Sequence, residues 1–348
     1  EPDEAGDTWR ALDSGELKLL YVSPERIVQP GFLARLAARK VNFLAVDEAH
    51  CISHWGHDFR PEYRQLAGVR RALGAPCHAF TATATERVRL DIVKQLELRD
   101  PAVILGIFDR PNLIYRFARR ALSPIDEVHA VIKRHPGEAG IIYCITRRAV
   151  DELTVSLNAR GVPALGYHAG MDAAARTRAQ DDFMSERCNL IVATVAFGMG
   201  VDRPDVRFVI HAGLPKSVEH YQQESGRAGR DGLPAECCLF YNYEDFKKWE
   251  YLLEKAESPA PGEDAPPAAP RAAPPDISPQ EAREIALHLL REMYNFAEKS
   301  ICRHRYLAGY FGQEYPQPSC LACDICLNER EEAPDSQTIA LKILSAVV

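Results

Sequence analysis

FLAVDEAHCISHWGHDFRPEY, residues 43–63, decides how this chain is read. The run 41–46 is apolar except for Asn42, which predicts a buried strand of a parallel sheet. Such a strand delivers Asp47, Glu48, Ala49 and His50 to its carboxyl end, where open α/β sheets bind their ligands. A carboxylate at that point suits a Mg²⁺ ion bridging nucleotide phosphates, and a second one beside it can orient an attacking water. Asp47 is assigned to the metal and Glu48 to the water. A bare Asp-Glu pair more often only caps the next helix, so the neighbouring residues decide.

Those neighbours are Ser53, Trp55, His57, Phe59 and Arg60. Trp55 and Phe59 lie four apart with His57 and Arg60 beside them, offering flat faces to unstacked bases and a cation to phosphate. The alternative is two core aromatics of an ordinary helix. Taken together, Asp47-Glu48-Ala49-His50 resembles the Walker B box of a superfamily 2 helicase. The following Cys51-Ile52-Ser53-His54-Trp55-Gly56-His57-Asp58-Phe59-Arg60-Pro61 is similar to the aromatic-rich loop of the RecQ family of DNA helicases. At His54 the family pattern usually has Gln.

Composition bounds the problem. The chain has 348 residues, enough for two domains and an appendage. With 46% hydrophobic and 26% charged residues it has the balance of a soluble globular protein. It shows neither an apolar run long enough to cross a bilayer nor a charged-then-apolar leader. A cytoplasmic protein is expected, nucleoid-associated if bacterial, with no membrane partner. The formal net charge of −7 weighs against nucleic acid. Its distribution tempers that, because acid gathers at residues 1–7 and 329–335 while cations gather at 60–71, at 116–120, and at Arg303 and Arg305. Ten cysteines in such a chain suggest metal or free thiols rather than disulfides.

Upstream of the quoted stretch, residues 17–21 predict a short strand. Ser23-Pro24-Glu25-Arg26 then makes a turn or, by the resemblance, brings Arg26 to DNA. A hydrolysing motor of this class needs a Gly-rich loop ending in Gly-Lys-Ser or Gly-Lys-Thr. None is present: the only lysines followed by Ser or Thr are Lys216 and Lys299, preceded by Pro215 and Glu298. In the family that loop lies upstream of the acidic box. The chain is therefore expected to be a fragment cut inside its first motor domain, without the leading strands of the first sheet. Residues 76–80 predict another strand, ending in Thr81-Ala82-Thr83-Ala84-Thr85, which is either a turn with Thr85 as helix cap or the family's coupling motif.

Phe108-Asp109-Arg110-Pro111-Asn112 marks the crossing into a second domain. Beyond it, strands at 140–146, at the stretch ending Tyr167-His168-Ala169-Gly170, and at 190–194 alternate with helices at 150–159 and 176–183. That alternation implies a parallel sheet flanked by helices. Thr146, His168 and Thr194 stand at strand ends. Further on, Gly200 would let the backbone approach phosphate or ribose, with Asp202 available to the sugar. Gln223-Glu224-Ser225-Gly226-Arg227-Ala228-Gly229-Arg230-Asp231-Gly232 matches the superfamily's arginine motif. If this segment is helical, Arg227 and Arg230 project from one side with planar donors suited to phosphate oxygens.

Residues 256–279 hold eight prolines among alanines and acids, which predicts an extended linker or a polyproline docking site. Helical apolar spacing follows at Ile285, Leu289, Met293 and Phe296. Cys302, Cys320, Cys323 and Cys326 then make C-x17-C-x2-C-x2-C, a set that can close a tetrahedral, structural Zn²⁺ site and that resembles the RecQ zinc domain. Residues 336–348 resemble the first helix of a winged-helix domain.

The expected architecture is α/β: two RecA-like parallel-sheet domains, the first incomplete at its N-terminus, followed by a small helical zinc-binding domain. The expected divisions are 1–108, 109–255, a linker at 256–279, the zinc domain at 280–330 and the start of a winged helix at 331–348. The resemblance implies an ATP-dependent 3′–5′ DNA helicase core that unwinds duplex DNA in recombination and repair, using ATP, Mg²⁺ and Zn²⁺. It implies catalytic roles for Asp47, Glu48, His50, Gln223, Arg227 and Arg230, and nucleotide or metal contacts for Asp47, Gly200, Asp202, Arg227 and Arg230. Arg26, Ser53, Trp55, His57, Phe59, Arg60, Thr146, His168 and Thr194 would face single-stranded and duplex DNA, with a single-strand-binding protein as a candidate partner. Without a phosphate loop the fragment alone is expected to be inactive. A non-hydrolysing zinc-containing DNA-binding module, or an interaction scaffold, stays open.

Overall fold

The computed structural model describes residues 2–56, 58–120, 124–198, 201–255, 277–330 and 336–347. His57, Gly200 and most of the proline-rich segment lie outside the described residues. The chain divides into two compact units, one comprising Glu1–Thr81 and Val88–Ala102, the other Ala82–Arg87 and Val103–Val348.

In the first unit, β1 (Leu44–Val46) pairs in parallel with β2 (Cys77–Ala79), Leu44 opposite Cys77 and Val46 opposite Ala79. The strand is shorter and less buried than its apolar run suggests: Val46 is buried, but Phe43 is 55% exposed. A sheet of two strands covers little of either face, so the flanking side chains stay in solvent. Residues 17–21, expected as a strand, have no regular structure. Among the described residues no neighbouring strand takes up their backbone groups, and Leu19 and Tyr21 are exposed. The helix Leu66–Leu73 buries Leu66, Ala67 and Val69 and stops at Gly74, whose φ of 61° is a left-handed C-cap.

The second unit is built on six parallel strands: β3 (Leu113–Arg119), β4 (Ala139–Tyr143), β5 (Leu165–Tyr167), β6 (Leu190–Ala193), β7 (Val206–His211) and β8 (Ala235–Tyr241). Their order is β3-β8-β7-β4-β6-β5. Side chains alternate across this sheet, as a period of two requires. Ile142, Val192, Ile210 and Cys238 enter one apolar layer with Val128, Val131, Val150 and Leu157, from the helices Pro124–Arg134 and Arg147–Ala159. Ile141, Tyr143, Ile191, Val209 and Leu239 enter the other.

That second layer is closed partly by residues beyond the linker. Leu290, Met293 and Phe296 of the helix Pro279–Glu298, together with Leu307, Cys302 and Cys323, belong to the same cluster as Tyr115, Phe117 and Tyr221. The long helix starts at a capping box, Ser278 with Glu281, and has Pro279 in its first turn. Its fully buried stripe takes Leu290 rather than the expected Leu289, because Leu290 is the position that faces the sheet with Met293 and Ala297. The helix Ser336–Val347 leaves Ile339, Leu341, Ile343 and Leu344 exposed. Among the described residues no helix is long and apolar enough to cross a membrane.

Candidate nucleotide, nucleic-acid and metal sites

Asp47 and Glu48 leave the carboxyl end of β1, beside the end of β2. An Asp47 carboxylate oxygen accepts from the Glu48 N–H at 2.8 Å, and the Asp47 carbonyl accepts from the Tyr63 hydroxyl at 3.2 Å. Glu48 has φ 47° and ψ 41°, a left-handed conformation that is costly for a side chain with a Cβ and that often marks functional turns. One 3-10 turn, Ala49–Ile52, follows and is wholly buried. The His50 ring nitrogen Nδ1 lies 3.3 Å from a Glu48 carboxylate oxygen and 2.9 Å from the Thr81 hydroxyl. Thr81 follows β2, so the box touches the end of the second strand of this unit.

The aromatic loop folds back onto that box. Gly56 has no space for a side chain, since a Cβ there would stand 2.2 Å from the His50 carbonyl oxygen. Ser53 is fully buried, and its hydroxyl accepts from the Trp55 N–H at 3.2 Å. Among the described residues, 53–60 form no helix. Phe59 lies on His54 with ring centroids 4.2 Å apart, Arg64 sits over Phe59, and Arg60 pairs with Asp58 at 3.2 Å. Trp55 is half-buried. Arg26 lies in the four-residue helix Pro24–Ile27 and donates to Gln29 at 2.7 Å.

In the second unit, Thr146, His168 and Thr194 follow β4, β5 and β6, which are neighbours in the sheet. The Thr146 hydroxyl accepts from the Ala149 N–H at 3.2 Å and caps the helix Arg147–Ala159. His168 pairs through Nε2 with Asp151 at 3.0 Å, while its Nδ1 accepts from the Gly170 N–H at 3.1 Å. Thr194 is fully buried, and its hydroxyl has no hydrogen-bond partner among the described residues.

The helix that places Gln223 runs only over Val218–Ser225. Residues 226–232 are a turn, with Gly229 at φ 55°, so Arg227 and Arg230 do not project from one helical face as the conditional reading had it. Two glycines within four residues break the helix between them. Arg227 is buried, and its Nε finds no hydrogen-bond partner among the described residues. Gly198 makes room for it, as a Cβ there would lie 2.9 Å from an Arg227 terminal nitrogen. Arg230 is exposed and pairs with Asp202 at 2.6 Å, joining two residues expected at the nucleotide.

Cys302, Cys320, Cys323 and Cys326 bring four sulfurs within 4.8 Å of one another. The N–H of Ala322 points to the Cys320 sulfur at 3.4 Å, and that of Cys326 to the Cys323 sulfur at 3.5 Å. Burial pushes the Cys326 thiol up, but hydrogen bonds from the Cys320 backbone and from Ser319 outweigh it and bring it down to about 7. Four converging sulfurs with amide donors aimed at two of them fit a closed, thiolate-bound Zn²⁺ site.

Residues 2–91 match the DEAD/DEAH box helicase family, 123–232 the helicase conserved C-terminal domain, and 243–327 the RecQ zinc-binding family. The ATP-dependent DNA helicase RecQ of Haemophilus influenzae is 43% identical over 339 residues, 97% of this chain and 51% of that protein. The chain belongs to the RecQ family. The Bacillus subtilis RecQ helicase is 36% identical over 341 residues, covering 97% of this chain and 53% of the relative. The chain thus spans about half the length of these bacterial relatives. Saccharomyces cerevisiae Dbp5 bound to RNA and ADP BeF3 shares the fold, with a TM-score of 0.50 and 20% identity over 75% of this chain and 68% of that one.

Around the arginine turn of this RecQ chain, three residues were not marked by the sequence as site residues. The Tyr143 hydroxyl donates to the Phe197 carbonyl at 3.0 Å, and Arg227 is one of the groups acting on it. His211 pairs with Glu224 at 2.8 Å, both buried. Arg110 donates to three carbonyls of the turn. His211 and Arg110 lie 13 and 116 or more residues from their partners, beyond the reach of any local pattern.

Proposed function

We propose that this chain supplies the catalytic core of an ATP-dependent DNA helicase that moves 3′ to 5′ and unwinds duplex DNA in recombination and repair. The observation that carries the proposal is the connected box at the end of β1, with Glu48 beside His50 and His50 beside Thr81. A carboxylate fixed by a histidine that also touches a second strand end can orient water and sense a neighbouring segment at once. Asp47 would hold Mg²⁺, which when bound offsets charge on the phosphate oxygens. Glu48 would hold the attacking water and accept its proton. The Nε of buried Arg227, without a partner among the described residues, would donate to phosphate, and Arg230 would exchange Asp202 for the nucleotide.

DNA would follow the strand ends at Thr146, His168 and Thr194 and the loop holding Ser53, Trp55, His57, Phe59 and Arg60, with Arg26 as a further contact. Gln223 and Gly200 would complete the nucleotide contacts. Single-stranded and duplex DNA are the proposed partners, a single-strand-binding protein is a further one, and the proposed setting is the cytoplasm. A second reading is a zinc-containing DNA-binding module without hydrolysis, for which the four converging cysteines are the supporting observation.

DNA-stimulated ATP hydrolysis decides between them. It would be measured on the 348 residues and on a chimera in which they replace the matching segment of the Haemophilus influenzae helicase. The chimera is expected to turn over ATP and its Glu48→Ala form to lose at least about 100-fold, the scale of a positioned acid-base group. The 348 residues alone are expected to bind DNA without turnover. A chimera that binds DNA but never hydrolyses ATP would replace the motor reading with the binding module.

A further inference from the structure

The turn that bears Arg227 and Arg230 has little regular structure of its own, yet one guanidinium ties three of its carbonyls. Arg110 donates through Nη1 to the carbonyl of Gly226 at 3.2 Å and through Nη2 to those of Ala228 at 3.0 Å and Gly229 at 2.8 Å. Asn112, two residues on, donates to the carbonyls of Gly229 and Leu233, each at 2.9 Å. Its own carbonyl accepts from the Ala235 N–H at 3.0 Å. The planar fork of N–H groups on one guanidinium serves three carbonyls of the turn in a fixed geometry, which a lysine's single freely rotating ammonium would not hold as rigidly. Gly229 fits this closure tightly: at φ 55°, a Cβ would stand 2.6 Å from the Asn112 amide nitrogen and 2.7 Å from the Leu233 carbonyl.

The segment that delivers Arg110 is itself held by the zinc-binding region. The Phe108 N–H donates to the Gln313 side chain at 2.9 Å, and the Phe108 ring stacks on Phe311 with centroids 4.7 Å apart. Asp109 meets His304 at 2.6 Å. Residues 108–112 therefore run as a strap with the helix Arg303–Tyr310 and its C-terminal flank on one side and the arginine turn on the other.

We infer that Arg110 is a positioning residue for the arginine turn, setting the placement of Arg227 and Arg230 by clamping the carbonyls of Gly226, Ala228 and Gly229. The inference rests on the reading above in which those two arginines serve the nucleotide phosphates. Its structural half can be measured without any turnover. In the turn, the Gly229 N–H is bonded to Val206 at 2.9 Å, the Gly232 N–H to Gly229 at 3.0 Å and the Asp231 N–H to Pro204 at 3.3 Å, so all three amides report opening.

Hydrogen exchange by mass spectrometry on residues 1–348 would compare the parent with Arg110→Ala and Arg110→Lys. Peptides over 226–233 are expected to exchange about ten-fold faster or more in R110A, with β4 and the cysteine loop unchanged and R110K intermediate. Unchanged protection in the turn, or loosening that spreads equally to β4, overturns the clamp. In the chimera, R110A is expected to lower kcat about ten-fold or more with KM for ATP within about two-fold, and R110A/R227A to be no slower than R227A within about two-fold. Effects of the two substitutions that multiply would show that Arg110 acts elsewhere and overturn the inference. If R227A alone leaves hydrolysis intact, the nucleotide role of the turn fails instead, and the exchange result still decides the clamp.

Discussion

At the scale of single residues, Glu236 shows how this chain manages a buried charge. Its side chain, 5% exposed at the start of β8, accepts from Arg134 and from His135 Nε2 at 2.8 Å, with Arg116 at 3.2 Å. Burial pushes this carboxyl up, and the hydrogen bonds from His135 and Arg134 outweigh it, so it ends far below the usual range. The hydrogen bond to Glu236 likewise raises His135 above its ordinary 6.5, against burial, with Glu138 helping at 2.7 Å. The signs follow from linkage. The His135 contribution is complete below the unfolded value and is lost as pH rises through the raised one. That of Glu236 is complete above its ordinary 4.5 and is lost as pH falls through the lowered one. This cluster is therefore at full strength between about pH 4.5 and 6.5. Melting temperature is expected to fall as pH rises above that window, and His135→Gln to flatten the fall; identical slopes in the two proteins would refute it. Nothing in the sequence points to this pairing, since His135 and Glu236 are 101 residues apart. The convergence of the four cysteines was legible, because their spacing already suggested one metal site. The left-handed backbone of Glu48 was not, because it is imposed by the turn beneath it.

At the scale of elements, the cysteine loop behaves as an extra piece of the sheet. The Tyr115 N–H of β3 donates to the Ala322 carbonyl at 3.0 Å, and the Asp324 N–H donates to the Tyr115 carbonyl at 2.9 Å, so the loop adds a short parallel bridge to the outer strand. Beneath it, Arg303 is fully buried. It meets both Asp324 oxygens at 2.9 Å, donates to the Phe296 and Lys299 carbonyls, and lies over the Phe117 ring at 4.3 Å. Asp324→Ala would strand that guanidinium, and the expected loss is about 3–5 kcal/mol of unfolding free energy, measurable by denaturant titration. A loss under about 1 kcal/mol, the scale of a solvent-exposed pair, would mean the pair is not buried in solution. Elements with strong periodicity, such as β4, β6 and the helix Pro279–Glu298, were legible from spacing alone. Residues 17–21 and 226–232 were not. The first has apolar residues but no strand to pair with among the described residues, and in the second glycine placement and the distant Arg110 override a helical reading.

At the scale of the whole molecule, the six-stranded sheet and the zinc-binding region share one core. Tyr221 touches Phe117 and Phe296 edge-on, and the Tyr241 hydroxyl donates to the Ala297 carbonyl at 3.0 Å, so the sheet cannot lose the long helix without exposing its own aromatic face. Each such large side chain returned to water costs about 1.5–3 kcal/mol. Against this stands the first unit, whose two-stranded sheet leaves Phe43 and Phe80 more than half exposed. Two-stranded sheets are marginal on their own. Calorimetry is therefore expected to resolve two transitions: the first unit melts at the lower temperature, and the sheet melts together with the zinc-binding region at the higher. Chelation of Zn²⁺ should lower only the upper transition, because the metal is bound by that folded unit and contributes its binding energy there. Loss of the zinc-binding region in a separate step, with the six strands still protected from hydrogen exchange, would refute the shared core. It would also undo the strap through Phe108 and Arg110, which needs both partners folded at once.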